Sequence, residues 1–370
     1  ILELPENSIV KAVYTKNKAR SSTIDFSSNN LKKKSPKYLI VNSGNANAGT
    51  GKYGIIDIRK YCGELAKVAS CNVNDILAFS TGIIGERIHA DKICKSIPTL
   101  YKNLKENNWL NLAKSIMTTD TKYKIFSKRI KIKKDWINVT GVAKGSGMIK
   151  PNMATMLSFI ATDLDIDKTS LSKIQKSATE KSFNMISVDG ETSTNDASVI
   201  MSTRQSKLSY KKLTKKEKEK FINIIYEAHI HLAQRIVNDG EGATKFITIN
   251  VSKCSSYKEA KSIAMSVGNS LLVKTALFAE DPNWGRIISA IGNVETKEKN
   301  LSKYTVSFGK NLVFKNNCRS KNYDEKILYK YLKNKEIEIN ICCNTGNETA
   351  TVWTSDLTYK YIKINAEYRT

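Results

Sequence analysis

Histidine, paired cysteine and long apolar runs are what this chain of 370 residues has least of, and each scarcity removes a class of chemistry. There are three histidines, His89, His229 and His231. The last two stand two apart in a stretch of helical periodicity, so they point in different directions and make a poor metal pair. A histidine-based triad would have to rely on one of these three, and none lies in a recognisable motif. The seven cysteines (Cys62, Cys71, Cys94, Cys254, Cys318, Cys342 and Cys343) are odd in number and form no C-x-x-C pair. In an extended segment Cys342 and Cys343 would face opposite sides. That spacing argues against a disulfide framework or a zinc site and for a reducing compartment. No run of about 18 apolar residues occurs, so no transmembrane helix is expected. Ile1-Leu-Glu-Leu-Pro-Glu-Asn-Ser8 lacks the basic start and apolar centre of a secretory signal. Internal repeats and low-complexity linkers are missing too.

Acidic residues are in deficit as well: 35 against 60 basic ones, a formal net charge of +25. Such a balance invites a nucleic-acid reading, because counterion release draws lysine-rich surfaces to phosphate backbones. Here the lysines are dispersed, and asparagine and isoleucine are also abundant, as an AT-rich coding sequence would produce. In the run Lys211–Lys220, glutamates interleave with lysines at helical spacing, the pattern of a solvated helix face. Basic residues interleaved with aromatics, which would stack on bases, are lacking. Nucleic-acid binding is therefore not expected, although the field could steer a small anionic substrate.

What is present suits a globular α/β protein. Hydrophobic residues make up 41% of the chain, and a chain this long buries roughly three-quarters of its unfolded surface, in more than one lobe. Ile58, Tyr61, Cys62, Leu65 and Ala69 fall at helical spacing, closed by Asn72-Val-Asn-Asp75 before a strand at Ile76–Phe79. A long helix is expected from an N-cap at Thr214 to Asn238, burying Phe221, Ile225, Ala228, Leu232 and Ile236. Lys245–Val251 reads as a strand with Ile247, Ile249 and Val251 on one face. Ile337–Cys343 and Thr349–Trp353 read as a hairpin about Asn344-Thr-Gly-Asn347.

The densest chemistry lies in Lys144-Gly-Ser-Gly-Met-Ile-Lys-Pro-Asn-Met-Ala-Thr-Met-Leu157. Locally this is a glycine-containing loop entering a strand that begins at Thr155. It is not a phosphate loop, since the Gly-Lys-Ser/Thr ending is absent, although an anion nest could form there. It also has the look of a self-cleavage site. A threonine hydroxyl is a weak nucleophile, but cutting the bond before it frees its own α-amine as an adjacent general base. Thr81-Gly82, in Ser80-Thr-Gly-Ile-Ile-Gly-Glu86, reads as a turn, and Asp239-Gly-Glu-Gly242 as a helix-ending turn. Thr118-Thr-Asp-Thr121 suggests a polar turn or cap.

These segments, with Val41-Asn-Ser-Gly-Asn-Ala-Asn-Ala48, Val188-Asp-Gly-Glu-Thr-Ser-Thr-Asn-Asp196, Asp281-Pro-Asn-Trp-Gly-Arg286 and Asn365-Ala-Glu-Tyr-Arg-Thr370, resemble the ornithine acetyltransferase family in order along nearly the whole chain. That family comprises the bifunctional glutamate N-acetyltransferases of arginine biosynthesis. The resemblance implies an N-terminal-nucleophile-like α/β sandwich whose sheets are shared between two fragments, 1–154 and 155–370, made by cleavage between Ala154 and Thr155. It implies that Thr155 is the nucleophile, that Thr81 and Gly82 form the oxyanion hole, and that Thr121, Lys144, Thr155, Glu241, Asn365 and Thr370 bind substrate. Lys144 would meet an α-carboxylate and Glu241 an ammonium group. Acetyl would pass from N2-acetyl-L-ornithine to L-glutamate without cofactor or metal; nothing in these residues decides whether acetyl-CoA also serves as donor. The fragments would stay associated, as a heterotetramer of two of each, in the cytoplasm. Family members carry an extra N-terminal stretch, so the chain is expected to be truncated at its start. Gly49, Ala279-Glu280 and Arg369 depart from the family pattern without touching the nucleophile. The alternative is a self-processing aminopeptidase or amidase that uses water as acceptor.

Overall fold

The computed structural model describes residues 1–150, 156–296 and 300–368. These form two compact units, each built from more than one stretch of chain. The first comprises Ile1–Gly145, Lys150–Asn184 and Glu191–Ile236; the second comprises Ser146–Ile149, Met185–Gly190 and the chain from Val237 onward.

In the first unit, strands Tyr38–Asn45 and Ile76–Ile83 run parallel, with Leu2–Glu3 antiparallel at the edge. Strand side chains alternate between faces, so one run of residues serves two interfaces. Leu39, Leu77 and Phe79 meet Val142, Phe159 and Val199 of a second sheet, with Phe79 edge-on to Phe159 at 5.2 Å. Tyr38, Ile40, Ile76 and Ala78 point the other way, into Phe26 of helix Ser22–Lys33 and the Ile58, Tyr61, Cys62 and Leu65 stripe of helix Gly51–Val68. The second sheet has the order Ile9–Tyr14, Ala197–Ser202, Leu157–Thr162, Asp135–Lys144, Lys124–Ile132. Gln175 of helix Lys168–Glu180 reaches its far face, donating to the Ser198 carbonyl at 2.8 Å. The layering is helix, sheet, sheet, helix, the α/β sandwich the motifs lead one to expect. This five-stranded sheet takes three strands from before residue 154 and two from after it. The other two sheets each come from one side alone.

Helix Lys215–Asn238 matches its expected span, and Phe221, Ile225, Ala228, Leu232 and Ile236 are all fully buried. Thr214 caps it in a reciprocal box: its backbone N–H donates to Glu217 at 2.9 Å, while the Glu217 N–H donates to the Thr214 hydroxyl. His229 on this helix is core. Burial pulls its imidazole down to about 4, and its two ring nitrogens sit against the Ile225 carbonyl and Gln175.

The second unit is a seven-stranded sheet in the order Cys318–Arg319, Asn311–Lys315, Thr305–Phe308, Glu336–Cys342, Phe246–Cys254, Glu348–Ser355, Ile186–Ser187. Ile247, Ile249, Val251, Ile337, Ile339 and Ile341 form its apolar face, packed against Ala260, Ile263 and Val267 of helix Tyr257–Asn269. One expectation fails here. Glu336–Cys342 and Glu348–Ser355 are not a hairpin, because Phe246–Cys254 lies between them, parallel to the first and antiparallel to the second. The Asn344–Asn347 loop bridges the intervening strand instead, with the Thr345 and Gly346 N–H groups donating to the Lys253 carbonyl. Turn chemistry marks that the chain reverses, but not which strand it then pairs with.

Lys274, on helix Leu271–Phe278, is fully buried, and donates to Thr354 Oγ1 at 3.0 Å and to the Ser355 carbonyl. Burial lowers its amine from 10.5 to about 7, against the pull of Asp356 and Asp189. The unfolded chain therefore binds more protons between those two values, so stability should rise with pH across that window and be level below it. The slope should approach about 1.4 kcal/mol per pH unit. Urea unfolding of the wild type and Lys274→Met from pH 6 to 10 checks this. The stability difference, wild type minus variant, should climb above pH 7, and a flat difference would refute it.

Candidate active site

Lys144 ends the strand Asp135–Lys144, paired with Leu157 across the sheet. It is not a surface lysine: only 8% of it is exposed. Its ammonium group donates to Thr118 Oγ1 at 2.8 Å and Thr81 Oγ1 at 3.1 Å, with Asp120 Oδ2 at 3.9 Å. Burying an ammonium is costly unless it is paired and hydrogen-bonded, and Asp120 supplies that compensation. This carboxylate accepts from Lys124 Nζ at 2.6 Å, the Gly145 N–H at 2.7 Å and the Thr118 N–H at 3.1 Å. Burial alone would raise the Asp120 carboxyl, but Lys144, Lys124 and the Gly145 N–H outweigh it and hold it below the usual carboxylate range.

Thr81 and Gly82 are not a turn but the end of strand Ile76–Ile83, paired with Ser43 and Gly44. Gly82 has φ +132°, and a Cβ there would lie 2.2 Å from the Gly44 carbonyl carbon, so only glycine fits. Asn195 steadies this strand end by donating to the Ser80 carbonyl at 2.8 Å and the Ala46 carbonyl at 2.6 Å. Thr121 is exposed, next to Asp120 in the chain.

The second unit gathers another group. Glu241 is 8% exposed. Its N–H donates to the Ser146 carbonyl at 2.9 Å, and its carboxylate accepts from Asn365 Nδ2 at 2.9 Å. A Cβ on Gly147 would come within 2.4 Å of that carboxylate. Helix Tyr359–Ala366 is tied to the same turn by Thr358, whose hydroxyl donates to the Gly242 carbonyl at 2.8 Å. The terminal segment is thus held by side-chain bonds as far as Asn365. The structure brings Thr81 to Lys144 and Asn365 to Glu241; Ala154, Thr155 and Thr370 lie outside the described residues. Thr118, Asp120 and Lys124 are the residues that sequence reasoning passed over. Their signal was a carboxylate inside the polar quartet Thr118–Thr121, four residues before a lysine. Among the described residues, no group of histidine, cysteine and carboxylate side chains could hold a metal.

A profile of the ArgJ family matches residues 1–370. The chain belongs to the ArgJ family. Among its relatives is the arginine biosynthesis bifunctional protein ArgJ of Colwellia psychrerythraea, 40% identical over 100% of this chain and 91% of that one. The namesake in Methylococcus capsulatus is 40% identical over 100% of this chain and 90% of its own length. The crystal structure of the Bacillus halodurans arginine biosynthesis bifunctional protein ArgJ is similar with a TM-score of 0.53 at 35% identity, covering 57% of this chain and 98% of that one. ArgJ-family membership agrees with the motif reading, and the protein is an enzyme, an N-acetyltransferase of the ornithine acetyltransferase type. None of its described helices is long and apolar enough to cross a membrane.

Proposed function

We propose that this ArgJ-family chain cuts itself between Ala154 and Thr155 and that Thr155 then carries acetyl from N2-acetyl-L-ornithine to L-glutamate. In the first step the Thr155 hydroxyl attacks the Ala154 carbonyl carbon, the C–N bond breaks as a C–O ester forms, and the hydroxyl proton passes to the freed amine. Water then hydrolyses the ester, leaving a carboxylate on Ala154 and a threonine with a free α-amine. In each turnover that amine takes the hydroxyl proton as Thr155 attacks the acetyl carbonyl, then returns a proton to the departing ornithine. An unperturbed terminal amine titrates near 7.7–8.0, close to working pH. Thr81 and the backbone at Gly82 would stabilise the tetrahedral oxyanion, Lys144 the substrate α-carboxylate and Glu241 its ammonium group; Thr121, Asn365 and Thr370 would complete the substrate contacts. No metal or cofactor is called for. Acetyl-CoA is a second candidate donor, the two fragments would remain associated as a heterotetramer of two of each, and a role in arginine biosynthesis would suit the cytoplasm.

The observation that carries this reading is a buried lysine hydrogen-bonded to Thr81, the proposed oxyanion-hole hydroxyl. The contact supports the reading because it sets an ammonium group, suited to a substrate α-carboxylate, beside the hydroxyl proposed to meet the oxyanion. Incubating the enzyme with N-acetylornithine alone and measuring its mass tests the reading. An acetyl adduct on the 155–370 fragment, with ping-pong kinetics, is expected. Intersecting kinetic patterns with no adduct would mean direct transfer, and release of free acetate without glutamate dependence would mean the hydrolase.

A further inference from the structure

The motif Val188–Asp196 took no part in the chemistry above, yet it and the Ala197 that follows it bond to the chain on each side of the proposed cleavage bond. Upstream, Asp189 accepts the Met148 N–H on Oδ2 at 2.6 Å and the Ile149 N–H on Oδ1 at 2.8 Å. The Val188 N–H donates to the Ile149 carbonyl at 2.7 Å, and Thr192 Oγ1 donates to the Lys150 carbonyl at 3.0 Å. Downstream, the Ala197 N–H donates to the Met156 carbonyl at 3.0 Å.

The Asp189 contact is a specific device. Met148 has φ +55°, a left-handed conformation that side-chain-bearing residues seldom adopt. In that conformation two successive N–H groups turn toward one point, making a small anion-binding nest. Asp189 fills it with one carboxylate oxygen per N–H, and Tyr361 donates to Oδ2 at 3.2 Å, fixing the carboxylate in turn. An amide of the same shape has one acceptor oxygen, and would set its NH2 against the second N–H.

We propose that Asp189 is a positioning residue for self-cleavage: its carboxylate locks Met148 and Ile149, so that the chain leading to the Ala154–Thr155 bond departs from a fixed point. The five residues from Ile149 to Ala154 reach at most about 18 Å even when fully extended, so the anchor's position constrains where the bond can lie. Attack of a hydroxyl on the preceding carbonyl needs near-attack geometry, and a 1 Å misplacement can cost about 10²-fold. The inference rests on the cleavage reading above.

The test compares Asp189→Asn, Asp189→Glu and wild type, with Thr155→Ala as the uncut reference. Uncut chain is followed over time on a denaturing gel, alongside thermal midpoints, amide exchange at Met148 and Ile149, and acetyl transfer per cut molecule. Asp189→Asn should cut about tenfold slower or worse, lose exchange protection at those two amides, and melt within a few degrees of Thr155→Ala. Asp189→Glu, which keeps two acceptor oxygens, should recover part of the rate. Molecules of Asp189→Asn that do get cut should transfer acetyl within about threefold of wild type. Cleavage of Asp189→Asn at the wild-type rate overturns the proposal. So does slow cleavage with an equal loss of midpoint in both variants and no rescue by Glu, which would make Asp189 a general structural prop. An uncut wild type would instead bring down the cleavage reading itself.

Discussion

Replacing Thr155 by alanine should leave the purified protein as one continuous chain and lower acetyl transfer by at least about 10⁴-fold. Under the proposed mechanism one oxygen performs two attacks, on the Ala154 carbonyl once and on the acetyl carbonyl in every turnover, so a single substitution removes both. Loss of a catalytic nucleophile ordinarily costs up to about 10⁶-fold, with binding and the oxyanion hole left to supply any residue of rate. Thr155→Ser keeps the oxygen and should retain part of each activity. The thermal midpoint of Thr155→Ala should stay near that of the wild type, which separates lost chemistry from lost fold. A Thr155→Ala protein that is cut but inactive would assign cleavage to another group. One that is uncut but fully active would remove Thr155 from the mechanism, hydroxyl and amine alike.

Asp120→Asn should be the most damaging change within the described residues. Asp120 and Lys124 are almost completely inaccessible, and Lys144 is nearly so. Removing one member of a buried charge cluster leaves the others uncompensated, a loss of about 3–5 kcal/mol in comparable cases. The substitution should also weaken transfer, because Lys144 would lose the carboxylate that favours its charged form and the Gly145 N–H would lose its acceptor. The pH dependence gives an independent check. The Asp120 carboxyl is depressed in the folded protein, so its stabilisation is complete above the unfolded value of about 3.9 and is lost as pH falls through the lower folded value. Urea unfolding should therefore show a wide gap between wild type and Asp120→Asn at neutral pH, closing as the pH drops below about 4. A gap of under 1 kcal/mol at pH 7 would mean that Lys124 and Lys144 have no need of Asp120.

Elements with strong local patterning were legible in the sequence. The stripe from Phe221 to Ile236, and the alternation of Ile247, Ile249 and Val251, occur where expected. In both, one buried face dictates the period, so the pattern and the structure have the same cause. Pairing was less legible. The strands either side of Asn344–Asn347 admit a third between them, because strand order depends on contacts far along the chain. Thr81-Gly82 likewise read as a turn, since its strand pairing comes from Gly44, some forty residues earlier. Lys144, Glu241 and Asn365 could be named from motifs as candidate residues, but their burial and partners could not. Asp120 was hard to single out for a physical reason. A carboxylate between two threonines looks like a solvated turn, and only the fold brings Lys144 and the Gly145 N–H to it. Asp189 was passed over in the same way, as its partners are backbone groups that carry no sequence signature.

The central claim is that Thr155 becomes a chain terminus before it becomes a catalyst, and intact mass under denaturing conditions tests it most directly. The account predicts two polypeptides corresponding to residues 1–154 and 155–370, with N-terminal sequencing of the second beginning Thr-Met-Leu-Ser-Phe. A single uncut chain of 370 residues that transfers acetyl from N-acetylornithine to glutamate at full rate would contradict it.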